Sequence, residues 1–340
     1  MRTQPLALSL GDPAGIGPEI TVKAWRALRA SGPAFVVVGD SEVLAAAPVG
    51  GEVALKRVAG AHEAAAVFAD ALPVLDLPLQ TAAVAGRADP ALAPTVIRWI
   101  ETAAGLALSG DVAGVVTAPI AKAPLYAAGF AFPGHTEFLA ELTAAARYDG
   151  ARGPVMMLIA GDLRVSLATI HLAVRDVPGA LSIQTIVNAG LVSAQALRRD
   201  FGIARPRLAL AALNPHAGEG GSLGREEIEI IAPAARALRD LGVECTDPKP
   251  ADALFHADAR RGYDAAVCMY HDQALIPVKM LDFWGGVNVT LGLPIVRTSP
   301  DHGVGFDIAG RGLARADSLI AALRMADAIA ARRRSLSAAA

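Results

Sequence analysis

Short apolar runs that read as β-strands alternate along this chain with stretches of helical pattern, and that alternation most constrains the fold. Strand, helix, strand in repeated order builds a largely parallel sheet with helices on both faces, because a parallel neighbour needs a crossover long enough to hold a helix. Strand candidates fall at residues 6–10, 35–38, 112–117, 155–160, 163–170, 208–213, 265–270 and 287–291. Helical patterns cover residues 18–30, 90–108, 137–147, 180–200, 225–241 and 316–333. The first unit carries its own punctuation, with Pro18 near the first turn of its helix and Gly32 just past the end. Gly161-Asp162 between two strand candidates predicts a tight hairpin, so the sheet is expected to be mixed. No internal repeat or Ser/Gly linker divides the 340 residues, which should form about two closely joined domains.

Composition excludes several classes. A hydrophobic content of 53% is ample for a sizeable core. The formal net charge of −2 leaves no excess of cations to coat a polyanion, which argues against nucleic acid as a partner. No uncharged apolar run approaches the roughly 18 residues needed to span a bilayer, so no membrane is expected. Met1-Arg2-Thr3-Gln4-Pro5 leads into a run broken at Gly11-Asp12, too short for a signal peptide, and a cytoplasmic location is expected. Cys245 and Cys268 lack metal-site spacing and read as reduced thiols.

Three of the seven histidines follow directly on strand candidates: His171 after residues 163–170, His216 after 207–213 and His271 after 264–270. In open α/β sheets the ligand crevice lies beyond the carboxyl ends of the strands, where side chains from separate strands can converge. Three imidazoles meeting there would hold a divalent metal and leave a position open for substrate or water. The glycine-rich opening is a second candidate. Gly11, Gly15 and Gly17 sit between a strand and a helix but are spaced G-x-x-x-G-x-G, the wrong order for the dinucleotide fingerprint, and a tight turn explains them as well as a phosphate cradle. His135 and Thr136 open a helix, where unpaired amides favour anions and where Thr136 could equally be a cap. Lys279, Asn288 and Arg297 lie in mostly apolar surroundings, where cations suit a carboxylate or phosphate. Asp272, beside His271, could orient that ligand, take part in proton transfer, or cap a helix.

At these residues the chain resembles a known family. Residues 11–19 (GDPAGIGPE), 134–138 (GHTEF), 214–219 (NPHAGE), 270–273 (YHDQ), 288–294 (NVTLGLP) and 297–303 (RTSPDHG) resemble the 4-hydroxythreonine-4-phosphate dehydrogenases of pyridoxal phosphate biosynthesis, nearly end to end. The resemblance implies an α/β fold like that of isocitrate and isopropylmalate dehydrogenases: a mixed sheet sandwiched by helices, with the active site in a cleft between two subdomains. These would be residues 1–134 plus 295–340, and residues 135–294 with the metal ligands and dimer interface. It further implies a homodimer with shared active sites, in which His171, His216 and His271 bind zinc, magnesium or cobalt and His271 comes across the interface. His135, Thr136, Lys279, Asn288 and Arg297 would bind the phosphorylated substrate, and Asp272 would be the candidate catalytic residue. The cofactor would be NAD or NADP, bound without the Rossmann glycine pattern. One departure is Val304-Gly305, where the family favours Thr-Ala. The implied reaction oxidises 4-phosphohydroxy-L-threonine at C3, and the product loses carbon dioxide to give 3-amino-2-oxopropyl phosphate. Two other readings remain: a dehydrogenase of threonate or erythronate 4-phosphate, and a three-histidine hydrolase or aldolase with no nicotinamide.

Overall fold

Each strand candidate contains a strand, and the pattern missed four more, at Leu55–Arg57, Leu72–Asp76, Glu244–Cys245 and Arg297–Pro300. The computed structural model describes residues 4–339. In chain order the strands are β1 (Leu6–Ser9), β2 (Phe35–Gly39), β3 (Leu55–Arg57), β4 (Leu72–Asp76), β5 (Val115–Thr117) and β6 (Val155–Ala160). They continue as β7 (Leu163–Leu167), β8 (Arg207–Leu210), β9 (Glu244–Cys245), β10 (Ala265–Cys268), β11 (Val287–Leu291) and β12 (Arg297–Pro300). The chain divides into two units, Met1–Arg147 with Pro294–Ala331 and Tyr148–Leu293 with Arg332–Ala340. The first boundary therefore falls later than the expected residue 134, because the helix His135–Leu142 packs with the helix Ala93–Ser109 of the first unit. Residues 332–340 go with the second unit, where the Arg333 guanidinium donates to both Asp200 oxygens at 2.8 and 2.9 Å. Burial alone would raise the Asp200 carboxyl, but Arg333 and Arg199 together hold it below its usual value.

The first unit orders its strands β3-β4-β2-β1-β5-β12, every pair parallel. Its central strands are apolar and buried throughout, as expected where helices cover both faces. The helix Gly17–Leu28 has Pro18 in its first turn, where a missing amide leaves nothing unpaired, and the helix Ala93–Ser109 ends at Gly110 with φ +80°. Trp25 and Trp99 are fully buried, each worth a few kcal/mol by area, and each indole N–H reaches a backbone carbonyl, on Phe68 and Leu77.

The second unit orders its strands β11-β6-β7-β10-β8-β9. Here β6 and β7 form the expected antiparallel hairpin over Gly161, β11 pairs antiparallel with β6, and β7, β10, β8 and β9 run parallel. The helix Ile183–Arg199 starts with a capping box between Ser182 and Thr185. An apolar cluster including Leu158, Val165, Leu167, Ala266 and Cys268 fills the core below the strand ends. Cys268 is buried within it, and burial pushes its thiol upward, so both it and the half-buried Cys245 are unreactive free thiols. Among the described residues no single helix is long and apolar enough to cross a membrane.

Candidate active site

The three histidine-bearing strands are neighbours. β7, β10 and β8 lie side by side and parallel, with Cys268 in register with Leu167 and Val267 with Leu210, so their carboxyl ends share one edge. His171, His216 and His271 follow those strand ends, at Leu167, Leu210 and Cys268. Side chains missed by pattern knit the edge together. Thr169 donates to the Met269 carbonyl at 2.6 Å, while the buried Gln273 accepts from Met269 N at 2.7 Å and donates to Ala212 O at 2.6 Å. The only sequence signal for Gln273 was its place in the YHDQ motif.

His171 and His271 come together, with ring centroids 5.8 Å apart. Two imidazoles on one zinc ion, each N about 2.1 Å from the metal, have centroids about 5 to 6 Å apart, so this pair fits a shared divalent ion in donor type and spacing. Among the described residues, however, no group of three His, Cys, Asp or Glu side chains is gathered closely enough to hold a metal, so one chain does not bring His216 into a closed triad. Asp272 Oδ1 lies 2.7 Å from His271 Nδ1, and it is not the cap of the helix His271–Leu281, whose N-cap is Tyr270. That contact fixes one nitrogen of the imidazole.

His216 occupies an unusual backbone. His216, Ala217, Gly218, Glu219 and Gly220 have φ of 52°, 52°, 78°, 43° and 63°, a left-handed run with three non-glycine members. Each such residue costs about 1 to 2 kcal/mol, so the surrounding structure must hold the turn in place.

The anion-binding candidates of the first unit form a second group. Arg297 on β12 is 3% exposed and donates to Thr117 Oγ1 on β5 at 2.7 Å. Burial pushes its guanidinium down to about 10, still protonated at neutral pH, with Glu137 acting in the opposite direction. His135 opens the helix His135–Leu142, and Thr136 is buried behind it; the N-cap is Gly134, so Thr136 is not the cap. His135 Nε2 is buried without a hydrogen-bond partner. Burial, then the charges of Arg297 and Lys122, hold its imidazole well below the usual value, so it is neutral at pH 7. Lys122 is a cation the sequence reading passed over; it starts the helix Lys122–Ala127, with Nζ 3.8 Å from where a Gly134 side chain would begin. In the second unit Lys279 is half-buried with Nζ 5.2 Å from the Phe283 ring centre, and Asn288 on β11 keeps Oδ1 buried without a partner.

The neutral His135 makes a stability prediction. An unfolded imidazole takes a proton as pH falls through about 6.5, whereas the folded one resists it, so the unfolded state binds more protons and stability declines on acidification. His135→Gln should therefore lose less Tm than the parent between about pH 7.5 and 5.5, and equal losses in thermal melts would contradict the assignment.

The glycine-rich opening is a tight turn. Asp12 N donates to Pro119 O at 2.9 Å, Ala14 N to Asp12 Oδ1 at 3.0 Å, Gly15 N to Asp12 O at 3.0 Å and Ile16 N to Val304 O at 2.9 Å. Those amides are committed and cannot cradle a phosphate. Asp40, placed where a ribose-binding acid would stand, accepts from Glu42, Val43 and Leu79 amides instead.

Comparison with known proteins agrees with this geometry. Residues 32–326 match the family model described as pyridoxal phosphate biosynthetic protein PdxA. A 4-hydroxythreonine-4-phosphate dehydrogenase from Caulobacter vibrioides is 70% identical over 98% of this chain and 99% of the relative, and one from Maricaulis maris is 55% identical over 97% and 98%. The crystal structure of the enzyme of that name from Klebsiella pneumoniae superposes with a TM-score of 0.83 at 39% identity, covering 96% of this chain and 98% of the other. With its mixed α/β sheet, its strand-end histidines and these relatives along its whole length, the chain belongs to the PdxA family.

Proposed function

We propose that this chain is an NAD- or NADP-dependent dehydrogenase that oxidises 4-phosphohydroxy-L-threonine at C3 in the cytoplasm. The observation that carries the reading is the 70% identity over 98% of the chain to a relative named for that dehydrogenase. In the reaction C3 loses a hydride to nicotinamide and its hydroxyl loses a proton, leaving 2-amino-3-oxo-4-phosphohydroxybutanoate. That β-keto acid loses carbon dioxide to give 3-amino-2-oxopropyl phosphate. His171, His216 and His271 would hold a divalent ion, zinc, magnesium or cobalt, which when bound would supply Lewis-acid stabilisation of negative charge on the C3 oxygen. Asp272 holds His271 in one orientation through Nδ1. Arg297 and Lys279 bind anionic groups of the substrate, while Thr136, Asn288 and the neutral His135 offer hydrogen bonds that fix its orientation. The test is reduced-nicotinamide formation with 4-phosphohydroxy-threonine beside threonate and erythronate 4-phosphates. Preference for either sugar-acid phosphate would replace the substrate, and no reduced nicotinamide with any of them would replace the reaction class.

The working unit in this reading is a homodimer in which the partner's His271 completes each site. Two observations support it: one chain does not close the three histidines into a group, and the helix carrying His271, with the turn that follows it, leaves Ile276, Met280, Phe283 and Trp284 exposed, Met280 by 81%. The 5.8 Å spacing of His171 and His271 within one chain favours a second arrangement, in which each chain closes its own site. Subunit mixing separates them. Combining inactive His171→Ala with inactive His271→Ala should restore activity, because one site of a mixed dimer collects both lesions and the other is intact. No recovery after verified exchange would assign both histidines to the same chain.

A further inference from the structure

The left-handed turn carrying His216 is held at its base by one buried carboxylate. Glu227 is 3% exposed, and its Oε1 accepts from the amides of Leu213 at 2.8 Å and Asn214 at 2.7 Å. Its other oxygen accepts from Asn214 Nδ2 at 3.0 Å. These partners are the last residues before Pro215 and His216, so the carboxylate grips the chain where it leaves β8. The same oxygen reaches the middle of the turn: a side chain on Gly218 would begin 2.6 Å from Glu227 Oε2, at φ +78°. At Gly218 the turn thus lies directly against the carboxylate, whereas a side chain on Gly220 would meet open space.

Glu227 reaches this place through an irregular helix. A helical pattern runs over residues 225–241, but the structure breaks it into a π-helical turn, Glu227–Ile231, followed by the α-helix Ala232–Asp240. A π-turn inserts a residue and shifts the side chains before it relative to those after, a distortion frequent at functional sites. Neither the left-handed run nor the π-turn is needed to connect a strand to a helix. A carboxylate on the π-turn, bonded to the two amides just before the left-handed run, links the two features by charge-assisted bonds.

We propose that Glu227 is a positioning residue for His216, fixing the left-handed turn so that the imidazole is presented to the divalent ion. The inference rests on His216 being a metal ligand. A buried acceptor bonded to amides two and three residues from a ligand removes conformations in which that ligand points elsewhere, and supporting groups of this kind change metal affinity by about 10- to 100-fold. Glutamine at position 227 keeps the shape and one oxygen for the two amides, but its amide nitrogen would face Asn214 Nδ2, which Glu226 Oε2 holds in place at 2.7 Å, so that one contact is lost. Alanine keeps neither.

The experiment measures zinc affinity of the purified protein by competition with a chromogenic chelator, beside thermal melts by circular dichroism. Glu227→Ala should stay folded and lose zinc affinity by about tenfold or more, with Glu227→Gln losing less because it keeps the two amide contacts. Gly218→Ala, which pushes a methyl group against the carboxylate at a left-handed position, should lower zinc affinity in the same direction and serves as the probe if Glu227→Ala fails to fold. Parental affinity in folded Glu227→Ala, or in folded Gly218→Ala where it stands in, overturns the proposal. His216→Ala is measured in parallel. If that variant binds zinc as the parent does, it is the assignment of His216 as a ligand that has failed; if it loses zinc while Glu227→Ala does not, only the positioning role has failed.

Discussion

Alanine at His171, His216 or His271 is expected to lower bound divalent metal and turnover together, each by at least about a hundredfold, because a direct ligand must matter more than the 10- to 100-fold typical of its supporting groups. The strand geometry makes the three equivalent in kind. Each leaves the same edge of three adjacent parallel strands, and each lies outside the apolar cluster that stabilises the second unit, so the substitutions should leave thermal stability of the metal-free protein nearly unchanged. Asp272→Asn provides a graded control. It keeps a polar contact to His271 Nδ1, now 2.7 Å from Asp272 Oδ1, but removes the charge, and should cost about tenfold in metal affinity. Metal content after dialysis and kcat on the same samples give the answer. Three variants with parental metal and parental rates would abolish the metal assignment, and parental metal with lost turnover would move the histidines to another role.

Much of this was legible in the sequence where one physical signal dominated. Apolar runs such as Val155–Ala160 and Val287–Leu291 are strands because they are buried, and the Gly161 hairpin follows from its turn chemistry. β12 was illegible because Arg297-Thr298-Ser299-Pro300 is polar: its burial depends on partners far away in sequence, Thr117 for Arg297 and the Ala322 carbonyl for Thr298. The helix His271–Leu281 was hidden by Pro277 inside it, and β3 and β9 by being short, partly exposed edge strands. The strand-end placement of His171, His216 and His271 was legible because a polar residue following an apolar run is a positional signal. Glu227 and Gln273 were not, since nothing in their spacing reveals that a π-turn or a strand edge brings them to Asn214 and Ala212. The opening glycines were ambiguous in sequence because a tight turn and a phosphate cradle need the same residue type; only the pairing of their amides separates the two.

Arg297→Met is expected to lower kcat/KM by about thirtyfold or more without loss of fold or metal. The magnitude follows from burial. Losing one partner of a desolvated, charge-assisted contact costs about 2 to 5 kcal/mol, and an exposed charge about 0 to 1. Arg297 belongs to the first class: it is 3% exposed, its guanidinium donates to Thr117 at 2.7 Å, and even with burial pushing it down to about 10 it stays charged at working pH. Methionine keeps the apolar stem inside β12, so packing changes little and the loss reports the charge. Lys279→Met supplies the comparison, since Lys279 is half-buried with its ammonium over the Phe283 ring, and an interaction of that kind at a partly exposed site is worth about 0.5 to 1 kcal/mol. Its variant should lose less than Arg297→Met unless the substrate itself desolvates the lysine. Arg297→Lys tests geometry against charge, because a lysine cannot reproduce the two-pronged contact of a guanidinium with a carboxylate or phosphate. A substrate analogue lacking the phosphate then identifies the contacted group: if Arg297 holds the phosphate, the penalty of Arg297→Met shrinks with the analogue, and if it holds the carboxylate, the penalty is unchanged. Near-parental kcat/KM in a folded Arg297→Met protein would show that the buried guanidinium serves the fold around β12 and not the substrate.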